Sequence, residues 1–171
     1  TYNTIYNKWF GTDAPANTAA TAPATSTEKP KLVDPTKLTV CTHLAYRPFQ
    51  FLDSDNTTII GFDVDLVDVV AKKLGVTQKI IDIDFGQITS GSVFAAKKCD
   101  LGAAAITITP ERQKSAPFSE GYFAATQALL VKKDSGITKV SGRLGTRTAV
   151  PAPTAAGTLV TTREPERGDH E

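Results

Sequence analysis

At 171 residues and a formal charge of +1, the chain has room for one ordinary domain with tails, and nothing argues for nucleic acid or an anionic membrane surface as partner. Two cysteines, Cys41 and Cys99, make neither a metal-ligand pattern nor a disulfide framework, so each reads as a small buried apolar residue. No apolar run is long enough to span a bilayer and no signal peptide opens the chain, so for an exported protein the signal is expected upstream.

Residues 1–11 place Tyr2, Ile5, Tyr6, Trp9 and Phe10 on one side of a helix that Gly11 stops. A helix this short is not stable alone, so its aromatic stripe must dock on something. Residues 12–36 are rich in Ala, Thr, Pro and Ser and read as a linker.

Leu38 to His43 reads as a first strand, leading into a Pro-containing loop with three aromatics, Tyr46, Phe49 and Phe51. The stretch Ile59 to Asp65 is predicted to start a helix, buried through Phe62, Leu66, Val69, Val70 and Leu74 and closed by Gly75. Asp63 and Asp65 sit in its first turn, where acids favour the positive helix end, and no acid–base pair is inferred from them. Lys79 to Asp84 is a second strand with Phe85 just past its end, and residues 87–98 form the crossover helix.

Leu101 to Ile108 is small, apolar and uncharged, as a strand covered on both faces of a parallel sheet reads. Thr109 and Pro110 break it, and Arg112 follows. Right-handed crossovers predict the strand order 2-1-3, with a ligand crevice between strands 1 and 3. An arginine past the carboxyl end of such a strand can grip a carboxylate through two parallel hydrogen bonds; the alternative is an ordinary surface arginine. Gln127 to Val131 is a further strand, and residues 150–171 lack periodicity and read as disordered.

The run Ala104-Ala105-Ile106-Thr107-Ile108-Thr109-Pro110-Glu111-Arg112, then Phe118-Ser119-Glu120-Gly121-Tyr122-Phe123, resembles a lobe-1 signature. It is that of the type 2 periplasmic solute-binding proteins that deliver amino acids to ABC importers. Ile59-Ile60-Gly61-Phe62-Asp63-Val64-Asp65 and the stretch from Leu129 to Ile137 are similar to the same family. So is Thr1 to Gly11, which looks like the family's closing helix standing ahead of its opening strand. A preceding, truncated binding protein in a tandem array is the favoured origin of that helix, with docking back onto this lobe the alternative. The likeness fades after residue 140.

The resemblance implies an α/β fold: a periplasmic binding protein type 2 lobe, a parallel-sheet three-layer α/β/α unit over residues 37–140, with the second lobe missing and an aberrant or disordered tail over 141–171. It implies that Arg112 pairs with a ligand α-carboxylate, and that Thr107 adds its hydroxyl and backbone N–H. The Ala105 carbonyl would accept from the α-ammonium, Tyr46 and Phe85 would pack the side chain, and His43 would sort ligands by their polar end. Core or rim packing is the alternative for Tyr46 and Phe85, and a lone solvent-facing histidine for His43. A histidine where relatives of basic specificity often carry an acid argues against a cationic ligand side chain.

The implied partners are a free amino acid, expected to be polar, and the membrane subunits of an ABC importer, with no cofactor or metal and no catalysis. The implied place is periplasmic or extracellular, with anchoring through an upstream part an open alternative. Binding by this chain alone is expected to be weak or undetectable, because one lobe gives one wall. The competing readings are a sensing module of a larger receptor or tandem importer, and a dehydratase or lyase on the same fold using His43.

Overall fold

The computed structural model describes residues 1–12, 14, 29–125 and 134. The predicted strand at Gln127–Val131 and the tail lie outside the described residues, as does most of the linker. The chain divides into two units, Thr1–Gly121 and Tyr122–Glu171, and every strand and helix described lies in the first.

Three parallel strands make the central sheet: β1 (Lys37–Thr42), β4 (Thr77–Asp82) and β5 (Leu101–Gly102), in the order β4-β1-β5. That is the expected 2-1-3 arrangement. β1 is the middle strand and is buried along all but its first residue. Its alternating side chains feed two cores, as the strand period requires. Leu38 and Val40 meet Val67 and Ala71 of α2 (Phe62–Leu74) on one face. Cys41 meets Ile88 of α3 (Phe85–Thr89) and Val93 of α4 (Ser92–Ala95) on the other. Helices therefore cover both faces, giving the three layers. Fully burying a side chain such as Val40 contributes about 2 kcal/mol.

Several elements differ from their sequence expectation. Ile59–Ile60 is not helical but forms β3, paired antiparallel with β2 (Phe51–Leu52). The buried face of α2 runs through Val64, Val67 and Ala71, and Val70 is exposed, because the helix leans on β1 through that face. The crossover helix is broken into α3 and α4 at Ser90–Gly91. Gly91 takes φ +77, and a Cβ there would lie 2.7 Å from the Ser115 carbonyl oxygen.

The third strand is shorter than its apolar run promised. Pairing with β1 ends at Gly102, and Ala105 turns into the left-handed region at φ 47. Ile106 to Ile108 thus form a loop rather than a strand, with Ile108 exposed. After it, Thr109 caps α5 (Pro110–Ser115), its hydroxyl accepting from the Arg112 N–H at 3.3 Å. Proline at the first helical position suits a site whose N–H has no intrahelical partner.

The two cysteines are also not separate. Cys41 and Cys99 are joined as a disulfide, their Cα atoms 5.8 Å apart. A separation of 58 residues hides the pair in sequence, but the parallel register opposes Cys41 to Gly102, so Cys99 enters beside it.

α1 (Tyr2–Phe10) docks on this lobe, as its aromatic stripe requires. Tyr2, Tyr6 and Phe10 stand edge-on to Phe62 at 6.0, 5.9 and 5.1 Å, and Trp9 meets Phe51 at 5.6 Å. The Asp65 carboxylate accepts from Trp9 Nε1 and from Lys8 Nζ, each at 2.7 Å. Asp65 therefore holds α1 in addition to favouring the start of α2.

Candidate functional site

The carboxyl ends of β1 and β5 and the residues after β4 bring several of the candidate side chains together. His43 directly follows β1, and its Nδ1 lies 2.9 Å from the Ile83 carbonyl. A carbonyl only accepts, so Nδ1 carries a proton, and in that tautomer Nε2 is the acceptor. Its ring lies 6.2 Å from that of Phe85, at the start of α3. Asp82 Oδ1 is 4.0 Å from the same Nδ1 and accepts from the Leu44 N–H at 3.0 Å.

Arg112 also lies by Phe85, its guanidinium carbon 5.4 Å from the ring centroid. Its Nη1 donates to the Thr107 carbonyl at 3.0 Å. Partial burial pulls its pKa down from the ordinary arginine value, with Glu111 opposing; the group still carries its charge near neutrality. His43, Phe85, Thr107 and Arg112 are thus linked around one aromatic ring. The Thr107 contact runs through its carbonyl, while its side chain is exposed.

Tyr46 is placed differently. It stacks on Phe49 at 5.4 Å and 18° and is 55 % exposed. It shares its loop with buried Gln50, which donates to the His43 carbonyl at 3.1 Å. Ala105 is half-buried, its N–H donating to the Asp63 carboxylate at 2.7 Å. Neither Gln50 nor Asp63 stood out as part of a site in the sequence. Asp63 could have been found by its period, since it stands one and two turns before Val67 and Ala71 on the face of the helix that meets the sheet.

The loop bearing Tyr46 is tied to the start of α2. The Phe62 N–H donates to the Pro48 carbonyl at 2.9 Å and the Asp63 N–H to the Phe49 carbonyl at 3.0 Å. Gly61 permits this approach: it takes φ +144, and a Cβ would fall 2.1 Å from the Phe49 oxygen. Among the described residues no group of acids, cysteines and histidines could hold a metal ion, and no helix is long and apolar enough to cross a membrane.

Comparison with known proteins agrees with this architecture. The family model for bacterial extracellular solute-binding proteins, family 3, matches residues 38–166, continuing past residue 140, where the motif likeness fades. The arginine-binding extracellular protein ArtP of Bacillus subtilis is 40 % identical over 101 residues, covering 59 % of this chain and 38 % of the relative. A mutant of ArgBP from T. maritima superposes with a TM-score of 0.66 at 35 % identity, over 75 % of this chain and 56 % of that one. An ancestral amino acid-binding protein, a precursor of cyclohexadienyl dehydratase, gives 0.54 at 38 % identity, over 59 % of this chain and 43 % of that one. The chain spans little more than a third of ArtP's length. With the parallel sheet, its 2-1-3 order and a match over most of its residues, this chain belongs to the bacterial extracellular solute-binding proteins, family 3.

Proposed function

We propose that the chain is part of the extracytoplasmic solute-binding component of an amino-acid ABC importer, with Arg112 gripping the ligand α-carboxylate. The observation that carries this reading is the half-buried Arg112 guanidinium, braced by the Thr107 carbonyl at 3.0 Å and standing over Phe85. A planar fork of donors, partly removed from water and braced before the ligand arrives, suits a carboxylate. The Thr107 hydroxyl and N–H and the Ala105 carbonyl complete the α-carboxylate and α-ammonium contacts. Phe85 and Tyr46 pack the ligand side chain, Tyr46 from the loop that it shares with His43.

His43 reads the end of the ligand side chain. With its proton committed to the Ile83 carbonyl, its Nε2 lone pair offers an acceptor, which favours a polar side chain ending in N–H donors, an amide or a guanidinium, and so departs from the sequence expectation that this histidine disfavours a cationic side chain. The relative ArtP, described as arginine-binding, supports that class. A disulfide joining Cys41 and Cys99 fits an oxidising, extracytoplasmic compartment. Catalysis is not part of this reading. His43 and Asp82 are both half-exposed, and the Nδ1 proton already has an acceptor nearer than Asp82 at 4.0 Å.

The described residues form one wall of a crevice, and enclosure normally buries most of a small ligand's surface. Binding by this chain alone is therefore weak. Titration of the ¹⁵N-labelled chain with each of the twenty amino acids tests the reading. It predicts saturable shifts at Ala105, Thr107 and the Arg112 side chain for a polar amino acid in the ~1 mM range, absent in Arg112→Ala. Shifts that survive Arg112→Ala overturn the assignment, and micromolar affinity by calorimetry overturns the one-wall account.

A further inference from the structure

We propose that Asp63 is a positioning residue for the amino-acid site, holding both ligand loops in register from the first turn of α2; the proposal rests on the amino-acid-binding function assigned to the chain. Asp63 is 2 % exposed, yet it carries a carboxylate. A buried carboxylate is costly unless it is well hydrogen-bonded, and the helix start offsets only part of that cost. Its Oδ2 accepts from the Ala105 N–H at 2.7 Å across 42 residues of sequence. Its own N–H donates to the Phe49 carbonyl at 3.0 Å. One residue thus meets the loop that follows β5 through its side chain and the loop that follows β1 through its backbone.

The side-chain bond matters because of what it holds. Ala105 sits at φ 47, a conformation that costs a residue with a Cβ about 1 kcal/mol or more. A charge-assisted bond to the amide outweighs that cost and fixes the Ala104–Ala105 peptide plane. Fixing that plane places the Ala105 Cα and holds the left-handed turn from which the Ala105 carbonyl, the acceptor assigned to the ligand ammonium, departs. The turn is anchored on its other side by β1: the Thr42 hydroxyl donates to the Ala103 carbonyl at 2.6 Å, and the Ala103 N–H donates to the Cys41 carbonyl at 3.0 Å. Those two bonds fix where the segment leaves the sheet. Asp63 fixes how it turns.

The test uses the full ¹⁵N-labelled chain as wild type, Asp63→Asn and the double variant Asp63→Asn/Ala105→Gly, with L-arginine as probe. In Asp63→Asn the Ala105 amide proton is expected to move upfield and exchange faster, and the amides of the Tyr46–Phe49 loop to shift with it. The dissociation constant for L-arginine is expected to rise ~10-fold, the size of one lost charge-assisted hydrogen bond. The double variant relieves the left-handed strain and is expected to recover stability without recovering affinity. Recovery of both overturns the proposal, because Asp63 would then only offset strain. An unchanged Ala105 amide, or an affinity within twofold of wild type, overturns it as well. Should the wild type bind no amino acid, the binding function fails separately. The loops then decide the matter in the free protein: joint movement of Ala105 and the Tyr46–Phe49 amides supports the proposal, and movement of Ala105 alone overturns it.

Discussion

Cys41, in the fully buried middle strand, is covalently joined to Cys99, at the entrance to the neighbouring strand. The bond closes a loop that contains α2, β4, α3 and α4, so it ties the centre of the sheet to the segment that leads into the site. Closing a loop of 58 residues removes chain entropy from the unfolded state worth about 4 kcal/mol. The double variant Cys41→Ala/Cys99→Ala is expected to lose stability of that order, seen as a lower denaturation midpoint with an altered slope. Two titratable thiols in the protein made under oxidising conditions would contradict the pairing.

Trp9 is the chain's one tryptophan, so its emission reports the docking of α1 alone. Its Nε1 donates to Asp65, and its ring meets Phe51 edge-on. A nine-residue helix has little stability of its own, so losing an anchor loosens the whole element. Asp65→Ala is expected to weaken docking by about 1–2 kcal/mol and to shift the emission to the red at lower denaturant than in wild type. An unchanged emission transition would show that the aromatic contacts with Phe62 suffice.

Asp55 gives the clearest pH dependence. Its carboxylate accepts from the Thr58 hydroxyl, and from the Thr58 and Thr57 N–H groups at 2.8 Å each, closing the turn between β2 and β3. These bonds, the Thr58 hydroxyl first, hold its pKa well below the usual carboxylate range. A depressed folded pKa adds stability above the unfolded value of about 3.9, and that stability is lost as pH falls through the folded value. Wild type is therefore expected to exceed Asp55→Ala in stability near neutrality, with the gap narrowing as the solution is acidified below about pH 4. A gap independent of pH would contradict the turn's geometry.

The sheet order, the helix at residues 2–10 and the aromatic stripe that docks it are legible in the sequence, because each follows from a period and a stop signal within a short window. The break between α3 and α4 is not, since it depends on Gly91 meeting Ser115 from a distant segment. The end of β5 escapes the sequence for a related reason. Ala103 to Ile108 is apolar enough for a buried strand, but Asp63, 42 residues earlier, takes the Ala105 amide and turns the chain. Arg112 can be placed near the crevice by topology, whereas its anchorage by Thr107 and Phe85 is a matter of side-chain geometry. The disulfide stays hidden because two cysteines in a sequence carry no register.

Arg112 is the residue proposed to read a carboxylate, and that role can be measured directly. The experiment is a paired titration of the ¹⁵N-labelled chain with L-arginine and with agmatine, which has the same guanidinium arm and amine but no carboxylate. Arginine is expected to shift the Arg112 side-chain resonance and the Thr107 amide in a saturable way, while agmatine leaves both in place. Equal shifts with the two compounds would contradict the account.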